Sequence, residues 1–578
     1  MLPHPPGLIY ITRLLPRIVV SGIGLYLVIK FLLVDIGLPV LVVVIAIFTI
    51  SSVLWYLSQS ITVAHNLQEA AQNEAALPPT IKHSGLYNVY KIIVGLRNGY
   101  PGDVFATWAA EYGNIFQFSL PTSTAIYTDE PQHIKAMLIT QFDSFEKGPI
   151  LHQQLSSLLG TGIFNADGEM WKFHRSITRP FFNRERINDF QIFERSCQLV
   201  MSLAQSRLEE GYAIDFQDLV SRFTLDSATE FLFGSNVGSL SAGIPYPPSS
   251  SKKNPSFDSH PSNHFVKAFA KGQAATITRI GLGSDWPLAE PFADKIKPFR
   301  KIIDDFTQPL LDKARMKWLA SDESDKVDRD DETLLEHLIT QTEDMTVIRD
   351  ELVNLLVAGR DTTMCLLSFC VYLLAEHPHM EARLRQEIVE NIGLGCGSPS
   401  HAQLSSLKYM RAYINEVLRL YPPAPMNNRA TKEAVILPAR NQLEKPLYVP
   451  ANTVCFYSAI NLHRRTDLWG PDALEFDPDR FLDERLEKHL SPNPSIFVPF
   501  NSGPRICLGQ QLVYREATYF LTRLLQNFTG FALDKSLILP PPLNWSSEGN
   551  RKNKEKVYPV SHITMFMKGG LWIKMEQL

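Results

Sequence analysis

The sequence predicts a mainly α-helical protein with small β-sheets, carried behind an N-terminal transmembrane anchor. Three observations predict it. Helix-period apolar patterns dominate residues 128–232, 264–392 and 402–421, strand-like runs are short and scattered, and the first 57 residues contain a long uncharged block. The 578 residues carry 56 basic and 60 acidic side chains, a net charge of −4, so no positive excess points to nucleic acid. At 45% hydrophobic residues the chain can bury a large core. Six cysteines, at 197, 365, 370, 396, 455 and 507, are too few and too irregular for a disulfide scaffold or a CxxC zinc site, which suits a reducing compartment.

Residues 36–57, IGLPVLVVVIAIFTISSVLWYL, are 22 uncharged positions. At about 1.5 Å per residue they suffice to cross a hydrocarbon core about 30 Å thick. Residues 18–34 are also apolar apart from Lys30, and Asp35 separates the runs, so residues 1–57 read as a membrane anchor of one or two transmembrane helices. Arg13 and Arg17 precede the block and residues 58–77 contain no Lys or Arg, which keeps the N-terminus cytosolic. Two spans leave both ends in the cytosol; one span puts the globular part in the lumen. Residues 58–77 read as a polar connector, and the globular domain, 78–578, begins at Pro78-Pro79.

Within that domain, short strands are expected at 115–118, 125–128 and 454–458, with a terminal pair, 562–567 and 571–575, around Lys568-Gly569-Gly570. Residues 238–263 and 538–558 read as long mobile loops. A helical pattern from Thr346, a candidate cap, to Glu376 is apolar nearly all round past Met364 and should be buried.

The most specific segment is Phe500-Asn-Ser-Gly503-Pro-Arg505-Ile-Cys507-Leu-Gly509, directly before a helical pattern at 510–528. A metal-binding thiolate needs a deprotonated sulfur on a short loop, and the N–H groups and positive dipole end of the next helix stabilise that charge. The glycines let backbone approach a flat cofactor, and Arg505 can pair with a carboxylate on it.

FNSGPRICLG resembles the haem-binding loop of the cytochrome P450 family in its FxxGxRxCxG form. The resemblance implies the P450 fold, haem b (iron protoporphyrin IX) as cofactor with Cys507 as the axial ligand of its iron, and Phe500 and Arg505 in the same binding loop. Ala358-Gly359-Arg360-Asp361-Thr362-Thr363 is similar to the oxygen-binding groove of the family's central helix. There Thr362 and Asp361 would deliver protons during oxygen activation, with Gly359 making room for dioxygen and Ala358 lining the substrate site. Trp171-Lys-Phe-His-Arg175 resembles the WxxxR element that contacts a haem propionate, and Arg429 occupies a second propionate-binding position. Glu416-Val-Leu-Arg419 resembles the structural ExxR element, completed by Arg480 in Phe476-Asp-Pro478-Asp-Arg480-Phe481. Pro422–Met426 and the strand near Ile563 and Met565 correspond to substrate-channel positions, so Met426, Ile563 and Met565 are candidates to line it.

The implied activity is hydroxylation of a hydrophobic small molecule, using O2 and electrons from an NADPH–cytochrome P450 reductase. Continuing as CLGQQL, the loop is similar to fungal membrane-bound fatty-acid and alkane hydroxylases, which implies an endoplasmic-reticulum membrane with a cytosolic catalytic domain, in contact with lipid; a xenobiotic substrate stays open. Lys172, Arg175, Arg179, Arg184 and Arg186 form either a face for an acidic electron donor or a solvated charge run. The rival readings are an isomerase or dehydratase of the same fold, which typically loses the acid–alcohol pair, and a haem-binding sensor.

Overall fold

The computed structural model describes residues 5–13, 40–182, 191–320, 333–395, 398–547 and 550–578. Six of its helices build the site: α1 (Gly168–Thr178), α2 (Phe216–Phe233), α3 (Pro261–Gly281), α4 (Met345–Glu376), α5 (Lys408–Leu420) and α6 (Gln510–Asn527). The expected central helix is α4. Its cap is Asp344 rather than Thr346, because the Asp344 carboxylate accepts from the Thr346 N–H at 2.8 Å and from the Val347 N–H at 3.4 Å. Among the described residues α4 alone is long and apolar enough to span a membrane, yet it is buried between its neighbours and is a core helix. Phe369 of α4 stacks on Tyr421 at the end of α5, and Phe223 of α2 meets Phe520 of α6, which closes the largest apolar core around it.

The main sheet is small, as expected. It has five strands in the order β1-β2-β5-β4-β3, where β1 is Ile115–Ser119, β2 Thr124–Thr128, β3 Phe145–Glu146, β4 Met426–Thr431 and β5 Val454–Ser458. Strand β4 pairs antiparallel with β5, with Arg429 opposite Cys455, so the pleat fixes which β4 residues face inward.

Several expectations change. Helix Val40–Gln72 runs through the anchor boundary at 57, because residues 58–72 contain neither Gly nor Pro to stop it. The terminal hairpin lies one strand earlier: β6 (Pro559–Ser561) pairs with β7 (Met565–Met567) around a turn at 562–564. Trp572–Gln577 pairs instead with Phe528–Leu533 and Ile214–Asp215. The Gly569-Gly570 link between these sheets has φ of 89° and 84°, and a Cβ on Gly570 would lie 2.4 Å from the Asp215 carboxylate. The 538–558 segment is anchored rather than mobile where described: buried Glu555 accepts from the hydroxyls of Tyr100, Tyr372 and Tyr421. The 238–263 segment contains a 3-10 turn, Ser239–Ala242, and a short helix, Pro255–Ser259.

A buried polar knot joins α5 to the approach of the Cys507 loop. Arg419 donates from Nε and Nη2 to both oxygens of Glu416, at 2.6 and 2.7 Å, and from Nη1 to the His463 and Ala473 carbonyls. Arg480 lies 3.7 Å from Glu416 and makes its closer ion pair with Asp472 at 2.9 Å, so the expected bridge of Glu416 between two arginines is lopsided. His463 then carries the linkage forward: its Nδ1 lies 3.1 Å from the Arg419 carbonyl, and its Nε2 accepts from the Val498 N–H at 2.9 Å.

Removing one member of such a pair strands a buried charge. Arg419→Met is expected to cost about 3–5 kcal/mol, read as a lower urea midpoint; a loss under about 1 kcal/mol would refute the strut role. Burial and the nearby Arg419 charge push the His463 pKa down to about 3, from 6.5 when free. The neutral ring's contribution is therefore complete above about pH 6.5 and is lost as pH falls toward 3. The unfolding midpoint should drop between pH 7 and pH 5, with a smaller drop in His463→Gln.

Candidate functional site

The site begins with how the 500–509 loop is held. The Cys507 N–H donates to the Phe500 carbonyl at 3.0 Å, which closes the loop on itself. Gly503 has φ of 68°, and a Cβ there would meet the Leu138 carbonyl oxygen at 1.9 Å, so only glycine fits. Arg175 of α1 donates to the Ile506 carbonyl at 2.6 Å from across the cavity. Cys507 consequently presents its sulfur to the cavity just before α6. Burial raises its thiol pKa, while the Gly509 and Gln510 N–H groups and Arg175 act in the opposite direction and favour the thiolate.

Beside the loop is a cluster of cations. Arg505 pairs with Asp167 at 2.5 Å and lies over the Trp171 ring at 4.5 Å, so the carboxylate it binds here is the protein's own. Arg429 donates from Nη1 to the Asn428 carbonyl at 2.6 Å, and its buried Nε has no hydrogen-bond partner among the described residues. Lys147, which sequence reasoning missed, completes the cluster. Burial and then the charges of Arg429 and Arg505 push its pKa down to about 7, with Asp167 opposing. Lys147, Arg429 and Arg505 thus lie close enough to act on one another's charge, with Asp167 paired to Arg505, an arrangement that favours the arrival of further anions. No local motif marked Lys147, because it faces the site only through its position between β3 and Gly148.

The third part is the groove in α4. Residues Val357–Asp361 widen into a π-helical turn, a geometry found often at functional sites. The Thr362 hydroxyl donates to the Ala358 carbonyl at 2.6 Å, and both residues line the cavity. Asp361 does not line it. Its carboxylate is held by Gln273 of α3 and by Arg360, each at 2.5 Å, and Arg360 is tethered in turn to Ser221. Burial raises the Asp361 pKa against both partners. A Cβ on Gly359 would lie 3.1 Å from the Ala228 Cβ of α2, so its missing side chain serves close helix packing.

These parts surround one cavity of about 430 Å³ that runs from Cys507 past Thr362 to Ile92 and Leu96. A family model, Cytochrome P450, matches residues 82–552. The chain belongs to the cytochrome P450 family. It is 35% identical to Cytochrome P450 52A3-B of Candida maltosa over 465 residues, covering 78% of this chain and 81% of that one. It is 31% identical to Cytochrome P450 52A6 of Candida tropicalis, over 94% of this chain and 99% of that one. To Cytochrome P450 monooxygenase himC of Aspergillus japonicus it is 34% identical, over 80% and 79%.

The protein is therefore a P450 monooxygenase, and the family's cofactor is haem b held by a thiolate. The residues present fit that group: a cavity-facing sulfur, a surplus of cations for two propionates, and an unpaired Arg429 Nε. Trp171, Phe500, Ala358, Met426 and Ile563 line the cavity as expected. Met565 does not. Its side chain is fully buried in the core, because the strand is tied down by the Met565 N–H donating to the Pro423 carbonyl, and Ser561 at the end of β6 and His562 in the turn reach the cavity instead. In the basic stretch Lys172 pairs with Glu169 on the surface, while Arg184 and Arg186 lie outside the described residues.

Lys147→Met and Arg429→Leu each remove one charge-assisted contact available to a propionate. Either change is expected to speed haem transfer to an apoprotein acceptor by about tenfold or more, without loss of fold by circular dichroism. Unchanged transfer rates in both would refute the cradle.

Proposed function

We propose that this P450 hydroxylates an aliphatic substrate, a fatty acid or an alkane, with a lipophilic xenobiotic as the alternative, and takes electrons from NADPH–cytochrome P450 reductase. The observation that carries it is the cavity itself. Away from the cation cluster its wall is Ile92, Leu96, Ile277, Ile280, Leu366 and Ile563, a surface that rewards desolvation of a hydrocarbon chain. The CLGQQL loop and the relatives from Candida support the same reading.

Within it each residue has one task. Cys507 would hold the iron through its sulfur, and Arg175, Arg429, Arg505, Trp171 and Lys147 would receive the carboxylate edge of the porphyrin. Bound haem supplies the reductive activation of dioxygen. The Thr362 hydroxyl, poised on the Ala358 carbonyl, holds a proton at the cavity wall, and Asp361 behind it is the acid that resupplies it. Gln273 and Arg360 hold that acid back from the substrate chamber, a positioning role invisible in the linear motif.

The anchor reading also has support. Residues 5–13 rest on the catalytic domain: the Gly7 N–H donates to the Glu290 carbonyl at 3.1 Å and the Tyr10 hydroxyl to Asp285 at 2.9 Å. An N-terminus on the catalytic domain's side favours two spans and a cytosolic domain at the endoplasmic reticulum. A glycosylation tag ahead of residue 5 should then stay unmodified in microsomes, and its modification would overturn this topology.

Cys507→Ala should abolish the red-shifted carbon monoxide band and all turnover; normal turnover in this variant would end the assignment. Thr362→Ala should retain haem while NADPH consumption shifts from product to peroxide. Unchanged coupling would refute the proton-holding role.

A further inference from the structure

The cavity wall contains polar side chains that neither the cofactor site nor the proton route uses, and His562 is one of them. His562 sits in the turn between β6 and β7, lines the cavity, and has its ring 4.7 Å from that of Phe566. Its backbone N–H donates to the Thr564 carbonyl at 3.0 Å, but its imidazole makes no hydrogen bond to any described residue. Three other polar groups on the wall are engaged within the protein. Glu516 accepts from Ser227 at 2.6 Å, Thr362 donates to Ala358, and the Asn427 carboxamide oxygen accepts from the Asn428 N–H and from Arg429. The turn itself is fixed, because the Met565 N–H donates to the Pro423 carbonyl at 2.9 Å and presses it against the start of β4.

We propose that His562 is a specificity-determining residue that hydrogen-bonds an uncharged oxygen on the aliphatic substrate, so that the site prefers an oxygen-bearing chain to the plain hydrocarbon. The assignment rests on the aliphatic reading above and deepens it. A half-buried imidazole without a partner is a cost unless something in the cavity meets it. Burial pushes its pKa down to about 4, so the ring is neutral at physiological pH and offers one donor and one acceptor. A hydroxyl complements both. An ionised carboxylate would meet a single donor and no compensating charge at this turn, since the cations of the wall belong to the Cys507 end. Ser561, the preceding residue, presents a second hydroxyl to the same space.

The test is spectral titration of the full-length, haem-loaded protein in detergent with dodecanol and with tridecane, which match in heavy-atom count. His562→Phe keeps the ring and removes its polarity. Dodecanol affinity should fall about tenfold and tridecane affinity stay within about twofold, and His562→Gln should recover most of the dodecanol affinity. Equal changes for both ligands, or no change for either, would overturn the proposal. If the parent protein gave no spin change with either ligand, the aliphatic reading would fall and this one with it. A retained thiolate-type carbon monoxide band in each variant separates these outcomes from misfolding.

Discussion

The architecture depends on one constraint: a sulfur must be held at the floor of an apolar cavity with no freedom to move. Cys507 achieves this without a regular element of its own. The Phe500 carbonyl closes its loop, the Leu138 carbonyl fills the space where any Cβ at residue 503 would stand, and Arg175 reaches from α1 to the Ile506 carbonyl. The first two are backbone against backbone, which side-chain rearrangement cannot undo, and the third clamps backbone from a side chain. Helix α6 then begins at Gln510, so its unpaired N–H groups face the loop where negative charge would reside.

The Glu416–Arg419 pair makes more sense as part of that constraint than as a source of stability. Two buried charges rarely gain from each other what they lose in hydration. What they gain is geometry: Arg419 fixes the carbonyls of His463, Ala473 and Glu475, and neutral His463 transmits that position to the Val498 N–H, two residues before Phe500. The knot and the sulfur loop are therefore one unit, joined through an imidazole that must stay uncharged.

How much was legible in the sequence follows from how local each signal is. FNSGPRICLG, the α4 groove and the ExxR pair are short runs whose chemistry is written in neighbouring residues; Cys507 and Thr362 line one cavity, while Asp361 lies behind its wall. Lys147, Gln273 and His463 were not legible, because each acts on a partner dozens to hundreds of residues away and carries no pattern around it, and His562 was not, because only the packing of its turn brings it to the cavity. The misplaced hairpin has a related cause. Alternation leads one to expect strands at 562–567 and 571–575, but the first begins only at Met565 after a turn, and pairing is decided by which neighbour offers a free edge; the edge offered to Trp572–Gln577 was Phe528–Leu533. Arg505 was marked by its motif, and the structure adds an ion pair with Asp167 that the motif does not reveal.

The cation cluster sets the protein's design against its own stability. Lys147, Arg429 and Arg505 lie close together with Asp167 paired to Arg505, and burial first, then the two arginine charges, lowers the Lys147 pKa. A fold optimised only for stability would have replaced one of them with an apolar side chain. Retaining all three leaves a cationic site that anions would relieve, and propionates seated there would couple cofactor binding to folding. The same logic separates the two ends of the cavity. Charge is concentrated where a dianionic cofactor edge belongs, and the remainder of the wall is apolar except for neutral hydrogen-bonding groups such as His562. A substrate without charge is drawn to the latter and gains nothing from the former, which orients it by exclusion before any specific contact forms.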